Sequence, residues 1–291
     1  MGKLITVLEK ALRRLVQNEM LGGMLLLVMT IFITCGVALV FLQVAYAICP
    51  YLGIGVAVLL SWSCIAARSL HQESRLVADA LVRGELATAR RYLSNIVGRD
   101  TAELDEAEVW CATVETVAEN SCDGVIAPLF YLMLGGPLLA LVYKAVNTLD
   151  SMVGYRNERY LRFGWASARF DDLANFIPAR LTGVLMVAAA PLFRFPPRDA
   201  WRIMRRDGRK HSSPNSGIPE AAAAGALGVR LGGASFYSGT KVEKPTIGDP
   251  LHPLAPVAWE GAIRLMYGAE GVLVAAWLVI TRVLNLQGWT G

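Results

Sequence analysis

Residues 21 to 48 contain no Asp, Glu, Lys or Arg and exceed the ~20 apolar residues that cross a bilayer as a helix. Such a stretch commits the chain to lipid. Cys49-Pro50-Tyr51 interrupts it before a second apolar run, 52 to 67, and so short a link predicts a helical hairpin that returns the chain to its starting side. Composition agrees: 54% of the 291 residues are hydrophobic and 18% charged, too apolar for an ordinary soluble domain. The expected class is all-α, a polytopic helical membrane protein forming a single integral membrane domain, with about four to five membrane-embedded segments plus cytoplasmic amphipathic helices.

Lys3, Lys10, Arg13 and Arg14 precede the hairpin, and Arg68, Arg75, Arg83, Arg90, Arg91 and Arg99 follow it. Both flanks are therefore expected on the cytoplasmic side. The formal charge of +4 is a small excess that gives no reason to expect nucleic acid as a partner. Cys35, Cys49, Cys64, Cys111 and Cys122 show no metal or disulfide spacing and are expected reduced. The first apolar run is too long, and lacks the flank, for a cleaved signal peptide.

The chain divides into a basic segment (1–19), the hairpin (21–67), a cytoplasmic helical arm (68–120), a polar core (121–260) and a C-terminal span (261–291). In the arm, Leu76, Ala80 and Leu81, then Leu86, Ala89 and Leu93, recur at helical spacing and predict two or three solvated amphipathic helices. Gly84 and Gly98 mark ends, and Asp100 with Glu103 reads as a capping box. In the core, acidic, amide and basic residues crowd between two apolar runs, 125–143 and 173–195. Ionisable groups beside lipid-length segments are costly unless they serve a function.

Gly135-Gly136-Pro137 interrupts 125–143 and predicts a broken or re-entrant segment, tolerated where it lies in protein or lines a wet cavity. At about 100° per residue, Lys144, Asn147, Thr148 and Ser151 share one helix face, opposite Ala145, Val146, Leu149 and Val153. The same angle puts Asp171, Asp172 and Asn175 within about a third of a turn. Two carboxylates and an amide suit hydrated Mg2+, which leaves other positions to phosphate oxygens. Beyond Pro196-Pro197, six cations between Arg198 and Lys210 precede His211-Ser212-Ser213-Pro214-Asn215-Ser216-Gly217, a loop suited to cradle phosphate. The segment 221–233 predicts a tightly packed helix, 241–256 an extended loop, and 263–284 the closing span.

Glu-Asn-x-x-Asp-Gly-x-x-Ala-Pro-Leu-Phe (119–130), Tyr-Lys-Ala-Val-Asn-Thr-Leu-Asp-Ser-Met-Val-Gly-Tyr (143–155), Ala-Arg-x-Asp-Asp (168–172), Pro-Ala-Arg-Leu (178–181), His-Ser-Ser-Pro-Asn (211–215) and Gly-Ala-Leu-Gly (225–228) resemble the adenosylcobinamide-phosphate synthase family of cobalamin biosynthesis (CbiB/CobD). The resemblance covers nearly the whole chain. Members usually begin earlier, with a further apolar segment and Asp-Pro and His-Pro-Val motifs ahead of the Met-Gly found here, and Ser216 to Pro219 departs from their pattern.

The resemblance implies ATP-driven amide formation between the free carboxylate of adenosylcobyric acid and the amine of (R)-1-amino-2-propanol phosphate, or of aminopropanol. Asp171 and Asp172 would hold Mg2+ with Asn175 assisting. Lys144, Arg180, His211, Ser212, Ser213 and Asn215 would hold phosphates, with Arg99 and Asn120 also assigned to phosphate or substrate. Glu119 or Asp123 is the candidate base, and Asn147 and Asp150 would orient substrate. Cobalt enters only with the corrinoid substrate; His71, His211 and His252 have no metal-site spacing. The implied setting is the cytoplasmic (inner) membrane of a prokaryote, with a multi-pass chain, the active site toward the cytoplasm, and other late cobalamin enzymes as partners.

Plainer roles compete: Asp150 pairing with Arg156, Asp171 and Asp172 pairing with Arg169 and Lys144, Arg180 snorkelling to the interface, and Asn120 in a turn. Two rival functions also stand. A non-catalytic membrane sensor on this scaffold should lack the Asp-Asp and His-Ser-Ser-Pro-Asn groups, and a transporter would use the Gly135-Gly136-Pro137 break as its binding midpoint.

Overall fold

The computed structural model describes residues 1–155, 157–237 and 239–283; Arg156 and the last residue of the expected closing span, Leu284, lie outside them. Five helical stretches among the described residues are long and apolar enough to cross a membrane: Glu19–Ile48, Pro50–Val82, Glu106–Val153, Phe176–Phe193 and Pro256–Val283. A two-stranded antiparallel sheet is the one departure from helix among the described elements. The chain forms two compact units, Met1–Ile65 with Ala127–Phe176, and Ala66–Ile126 with Ile177–Gly291.

The first unit starts with α1 (Gly2–Leu15), α2 (Glu19–Ile48) and α3 (Pro50–Cys64). Asn18 caps α2 by accepting from the Met20 and Leu21 amides, and Pro50 at the first position of α3 forces the tight hairpin. The unit closes with α7 (Ala127–Val153) and α8 (Trp165–Ala174). Ile5, Leu12, Leu26, Leu149 and Phe163 form its main core. The α2 backbone at Gly23 lies against the Phe163 carbonyl, where no side chain fits. Arg13 sits 4.1 Å over the Phe163 ring and bonds the buried Glu9 carboxylate at 3.0 Å, so the N-terminal helix is docked on this core. Inside α7, Gly135 (φ −148°, ψ 24°) and Gly136 (φ 66°, ψ −163°) leave helical geometry, and the positive φ of Gly136 is one that glycine adopts without strain.

The second unit holds α4 (Ala67–Val82), α5 (Leu86–Leu93), α6 (Glu106–Ser121), α9 (Phe176–Ala189), α10 (Pro197–Asp207), α11 (Gly217–Leu227), β1 (Leu231–Tyr237), β2 (Thr240–Ile247) and α12 (Pro256–Val283). The expected solvated arm is corrected here. Val109 to Ala118 are all buried, because α4, α5, α11 and α12 surround α6; its polar Thr113 is satisfied by the Val109 carbonyl at 2.7 Å. The capping box belongs to Asp105 and Glu108, which stand directly before the buried run, whereas Asp100 accepts from the Gly239 amide at 2.7 Å. A π-helical turn, Cys122–Ile126, follows α6.

Two further boundaries differ from the sequence reading. The apolar run 173–195 is split, with α8 ending at Ala174 and Asn175 turning the chain into α9. Part of the expected 241–256 loop is β2, paired with β1 from Leu231–Ile247 to Tyr237–Thr240. Pro245 is tolerated because a two-stranded sheet has only edge strands.

Candidate active site

The sequence-predicted residues fall into two groups, one in each unit. In the first unit, α7 carries Lys144, Asn147 and Asp150, and α8 carries Asp171 and Asp172 with Asn175 at its C-cap. The Tyr143 hydroxyl donates to Asn175 Oδ1 at 2.9 Å, which turns the Asn175 amide to donate to Asp171 Oδ2 at 3.0 Å. Tyr131 stacks on Tyr143 with centroids 5.1 Å apart and donates to the Ala174 carbonyl at 2.8 Å. Two tyrosines therefore set the orientation of one carboxyl.

Asp171 is only 9% exposed, and its Oδ1 has no hydrogen-bond partner among the described residues. Burial first, then the charge of Asp150, raises its pKa to about 7, against hydrogen bonds from Asn175 and Asn147. Asp150, which lies off the Lys144 stripe by helical angle, is thus electrostatically part of this cluster. Asp172 is half-buried and lies 3.8 Å from Arg169, so the expected structural pairing is present but long. Beside Asp172 opens a cleft of about 310 Å3 lined by Tyr155, Tyr160, Trp165 and Arg169. An orphaned buried carboxylate oxygen with acidic neighbours is the donor set of a hard divalent cation, so Mg2+ fits these residues. Among the described residues no group of three or more His, Cys, Asp or Glu side chains forms a metal cage, so a cation here would take most of its coordination from water and phosphate oxygen.

In the second unit, α6 presents Glu119 and Asn120, and Asp123 stands on the π-helical turn. Asn120 is helical rather than a turn residue, its amide donating to the Thr116 carbonyl at 3.0 Å. The polar loop between α10 and α11 is closed on itself. The Ser213 amide donates to His211 Nδ1 at 3.0 Å, and the Asn215 and Ser216 amides both donate to Ser213 Oγ at 3.3 Å. These three amides are occupied, so they are not available to a ligand, whereas the Ser212 side chain is exposed. Arg180 donates to Asn215 Oδ1 at 3.1 Å and the Pro214 carbonyl at 3.4 Å; it holds the loop rather than snorkelling. Burial lowers the His211 pKa, keeping the imidazole neutral and Nδ1 an acceptor.

Sequence reasoning missed three residues here. Glu115, one turn before Glu119, pairs with Arg99 and accepts from the Gly232 amide at 2.7 Å. Arg99 also donates to Ser235 Oγ at 3.1 Å. Glu220 and Lys244 complete a cavity of about 110 Å3 with Arg99, Glu115, Glu119 and Asn120. The i, i+4 spacing of Glu115 and Glu119 was a usable signal. Nothing local marks Lys244, and Glu220 is a single acid ahead of an alanine run.

Residues 1–266 match the family described as CobD/Cbib protein. A cobalamin biosynthesis protein CobD of Geobacter metallireducens is 67% identical over 285 residues, spanning 98% of this chain and 90% of that protein. A protein of the same name from Klebsiella pneumoniae is 48% identical over 280 residues, 95% of this chain and 88% of its own. The cobalamin biosynthesis protein CbiB of Salmonella typhi is 45% identical over 280 residues, with the same coverage of both chains. No solved structure matches. On this match the chain belongs to the CobD/CbiB family, and its role lies in cobalamin biosynthesis.

Proposed function

We propose that this protein is an ATP-dependent amide ligase, an adenosylcobinamide-phosphate synthase of the cytoplasmic membrane whose active site faces the cytoplasm. It joins the free carboxylate of adenosylcobyric acid to the amine of (R)-1-amino-2-propanol phosphate, or of aminopropanol. A carboxylate does not acylate an amine until one of its oxygens becomes a leaving group. ATP supplies that by taking the oxygen away as phosphate, so the products are amide, ADP and inorganic phosphate.

The observation that carries this reading is the Asp171 cluster, with its orphaned buried oxygen and its acidic neighbours Asp150 and Asp172. Mg2+ held by Asp171 and Asp172, with Asn175 and Asn147 fixing the carboxyls, would neutralise nucleotide phosphates and align them. The cleft beside Asp172, at about 310 Å3, has the size of a small-molecule site. Lys144, on the same helix as Asn147 and Asp150, is the α7 cation proposed for phosphate charge. In the second unit, Glu119 is suited to receive a proton from the incoming ammonium, and Arg180 with His211, Ser212, Ser213 and Asn215 to bind phosphate.

The test is purified protein with adenosylcobyric acid, aminopropanol phosphate, Mg2+ and ATP, followed by mass spectrometry for the amide. Absence of product with proven reagents sinks the assignment. The non-helical backbone at Gly135 and Gly136 favours a second reading, a transporter with a broken helix. That reading requires substrate flux into sealed vesicles without ATP consumption.

A further inference from the structure

Among the stretches long and apolar enough to cross a membrane, Phe176–Phe193 has a neighbour that opposes the crossing. At about 1.5 Å per residue its 18 residues only just reach across a hydrocarbon core of about 30 Å. Its middle, Val184 and Leu185, would therefore lie at the bilayer centre. α10 runs back beside it: a side chain on Gly183 would fall 2.6 Å from Met204 Sδ, and Arg180 bonds Asn215 beyond α10 at 3.1 Å. Met204 is thus level with the middle of α9. Its neighbour Arg205 is exposed and has no ion pair among the described residues, so a crossing α9 would hold a bare cation at the bilayer centre, where charge is costly unless it faces protein or water.

The outer side of α9 is apolar. Ile177, Val184 and Leu192 are 59%, 45% and 67% exposed. Ile177, Val184 and the exposed Ala188 fall within about 40° of one another, turned away from the Gly183 face, and Leu192 continues the stripe on the 3-10 turn Ala190–Phe193. On α10, Trp201, Arg205 and Arg198 are exposed and occupy the arc that begins beside Met204. Arg202 and Arg206 are bound by Asp199, Asp207 and Asp249, whereas Arg194, Arg198 and Arg205 have no ion pair among the described residues.

We infer that α9 and α10 form an interfacial hairpin lying along one leaflet, with the α9 stripe seated on acyl chains and Arg194, Arg198 and Arg205 on the headgroup phosphates of anionic phospholipid. A helix with one apolar face and cations beside it settles about 5–10 Å into the boundary between headgroups and chains. Trp201 supplies the amphipathic ring of an interface anchor, and each unpaired arginine adds attraction to an anionic surface. The 211–217 loop, which Arg180 holds beside the same helix, then stays at the water boundary and open to polar ligands. A crossing α9 would carry it into hydrocarbon.

Depth measurements on the full chain in lipid nanodiscs test this. Ile177→Cys, Val184→Cys and Leu192→Cys are each made alone in a chain whose five native cysteines are replaced by alanine. A spin label on each reports its depth through collisions with dissolved oxygen and with a water-soluble nickel complex. An interfacial hairpin puts the three labels at one depth, about 5–10 Å below the headgroups. A crossing helix puts the Val184 label about 10 Å deeper than the other two and overturns the inference. Labels shielded from oxygen and nickel alike mean that protein covers the stripe, which overturns it as well. Should the cysteine-free chain not fold, hydrogen exchange on wild type decides. Amides of 191–206 should exchange about fivefold more slowly, or slower still, in nanodiscs of equal phosphatidylcholine and phosphatidylglycerol than in phosphatidylcholine alone, and Arg198→Gln combined with Arg205→Gln should abolish the difference. Exchange in wild type that ignores the lipid, or a lipid effect that survives both substitutions, overturns the headgroup contact.

Discussion

Ser216 donates its hydroxyl to the Glu119 carboxylate at 2.7 Å, tying the polar loop before α11 to the last turn of α6. The same loop is braced by Ser213, whose hydroxyl accepts the Asn215 and Ser216 amides. One serine thus couples the candidate base to the candidate phosphate loop, and its removal should be felt in amine use. In Ser216→Ala the hydrogen bond to a charged group is lost, so kcat/KM for the amine should fall roughly tenfold or more while KM for ATP stays put. Steady-state kinetics with each substrate varied decides it; an equal fall for both substrates would mean general loosening.

Tyr143→Phe removes only the hydroxyl that turns Asn175 toward Asp171. The ring remains stacked on Tyr131, so the fold should survive. Freed from that bond, the Asn175 amide holds Asp171 less well, and the Mg2+ concentration for half-maximal activity should rise about fivefold. Saturating Mg2+ should restore most of the rate. A fall in rate that Mg2+ does not rescue would show that Tyr143 acts elsewhere.

The apolar runs and the hairpin were legible because membrane length and proline chemistry are local signals. Pairing between distant segments is not local. Asp150 lies off the Lys144 stripe at ideal helical angles, yet its charge acts on Asp171 of α8, which no count along α7 reveals. Glu115 was readable at one turn from Glu119, but Lys244 reaches the cavity from a strand in a proline-rich stretch that reads as loop. The arm was misread for a related reason: α6 has polar residues enough for water, and only its partners, such as the Gly232 amide on Glu115, show how they are satisfied when buried. The polar loop 211–217 stands out by composition, but composition could not show that His211 and Ser213 accept the amides of Ser213, Asn215 and Ser216.

Asp171 gives a pH signature. Its carboxyl titrates at about 7 instead of 3.8, so between those values the folded chain keeps a proton that the unfolded chain has released. Stability therefore falls as pH rises through this window and levels off above it. Asp171→Asn does not titrate, and its stability relative to wild type should climb between about pH 5 and pH 8 by on the order of 3 kcal/mol. Denaturation in detergent without Mg2+ at stepped pH measures this. A difference that does not move with pH would refute the buried, proton-holding carboxyl.

Asp207 has the opposite sign. At the end of α10 it is fully buried, accepting from Arg206 Nε at 2.8 Å and Nη2 at 2.7 Å, from Lys210 at 2.7 Å and from the Gly248 amide at 2.8 Å. The Arg206 guanidinium, then Lys210 and the Gly248 amide, hold its carboxyl far below its ordinary 3.8. Its stabilisation is thus complete above that ordinary value and is lost as pH falls toward the depressed one. Asp207→Asn keeps the shape but loses the charge, and should cost about 2–4 kcal/mol at neutral pH, the partly exposed cations weakening the effect through solvent screening. The deficit should be constant above about pH 5 and shrink below about pH 4, as wild type approaches protonation. Because Gly248 follows β2 and Asp207 precedes the His211 loop, the same variant should raise amide exchange in both segments together. Exchange confined to one of them would mean that the carboxylate does not clamp the hairpin to α10.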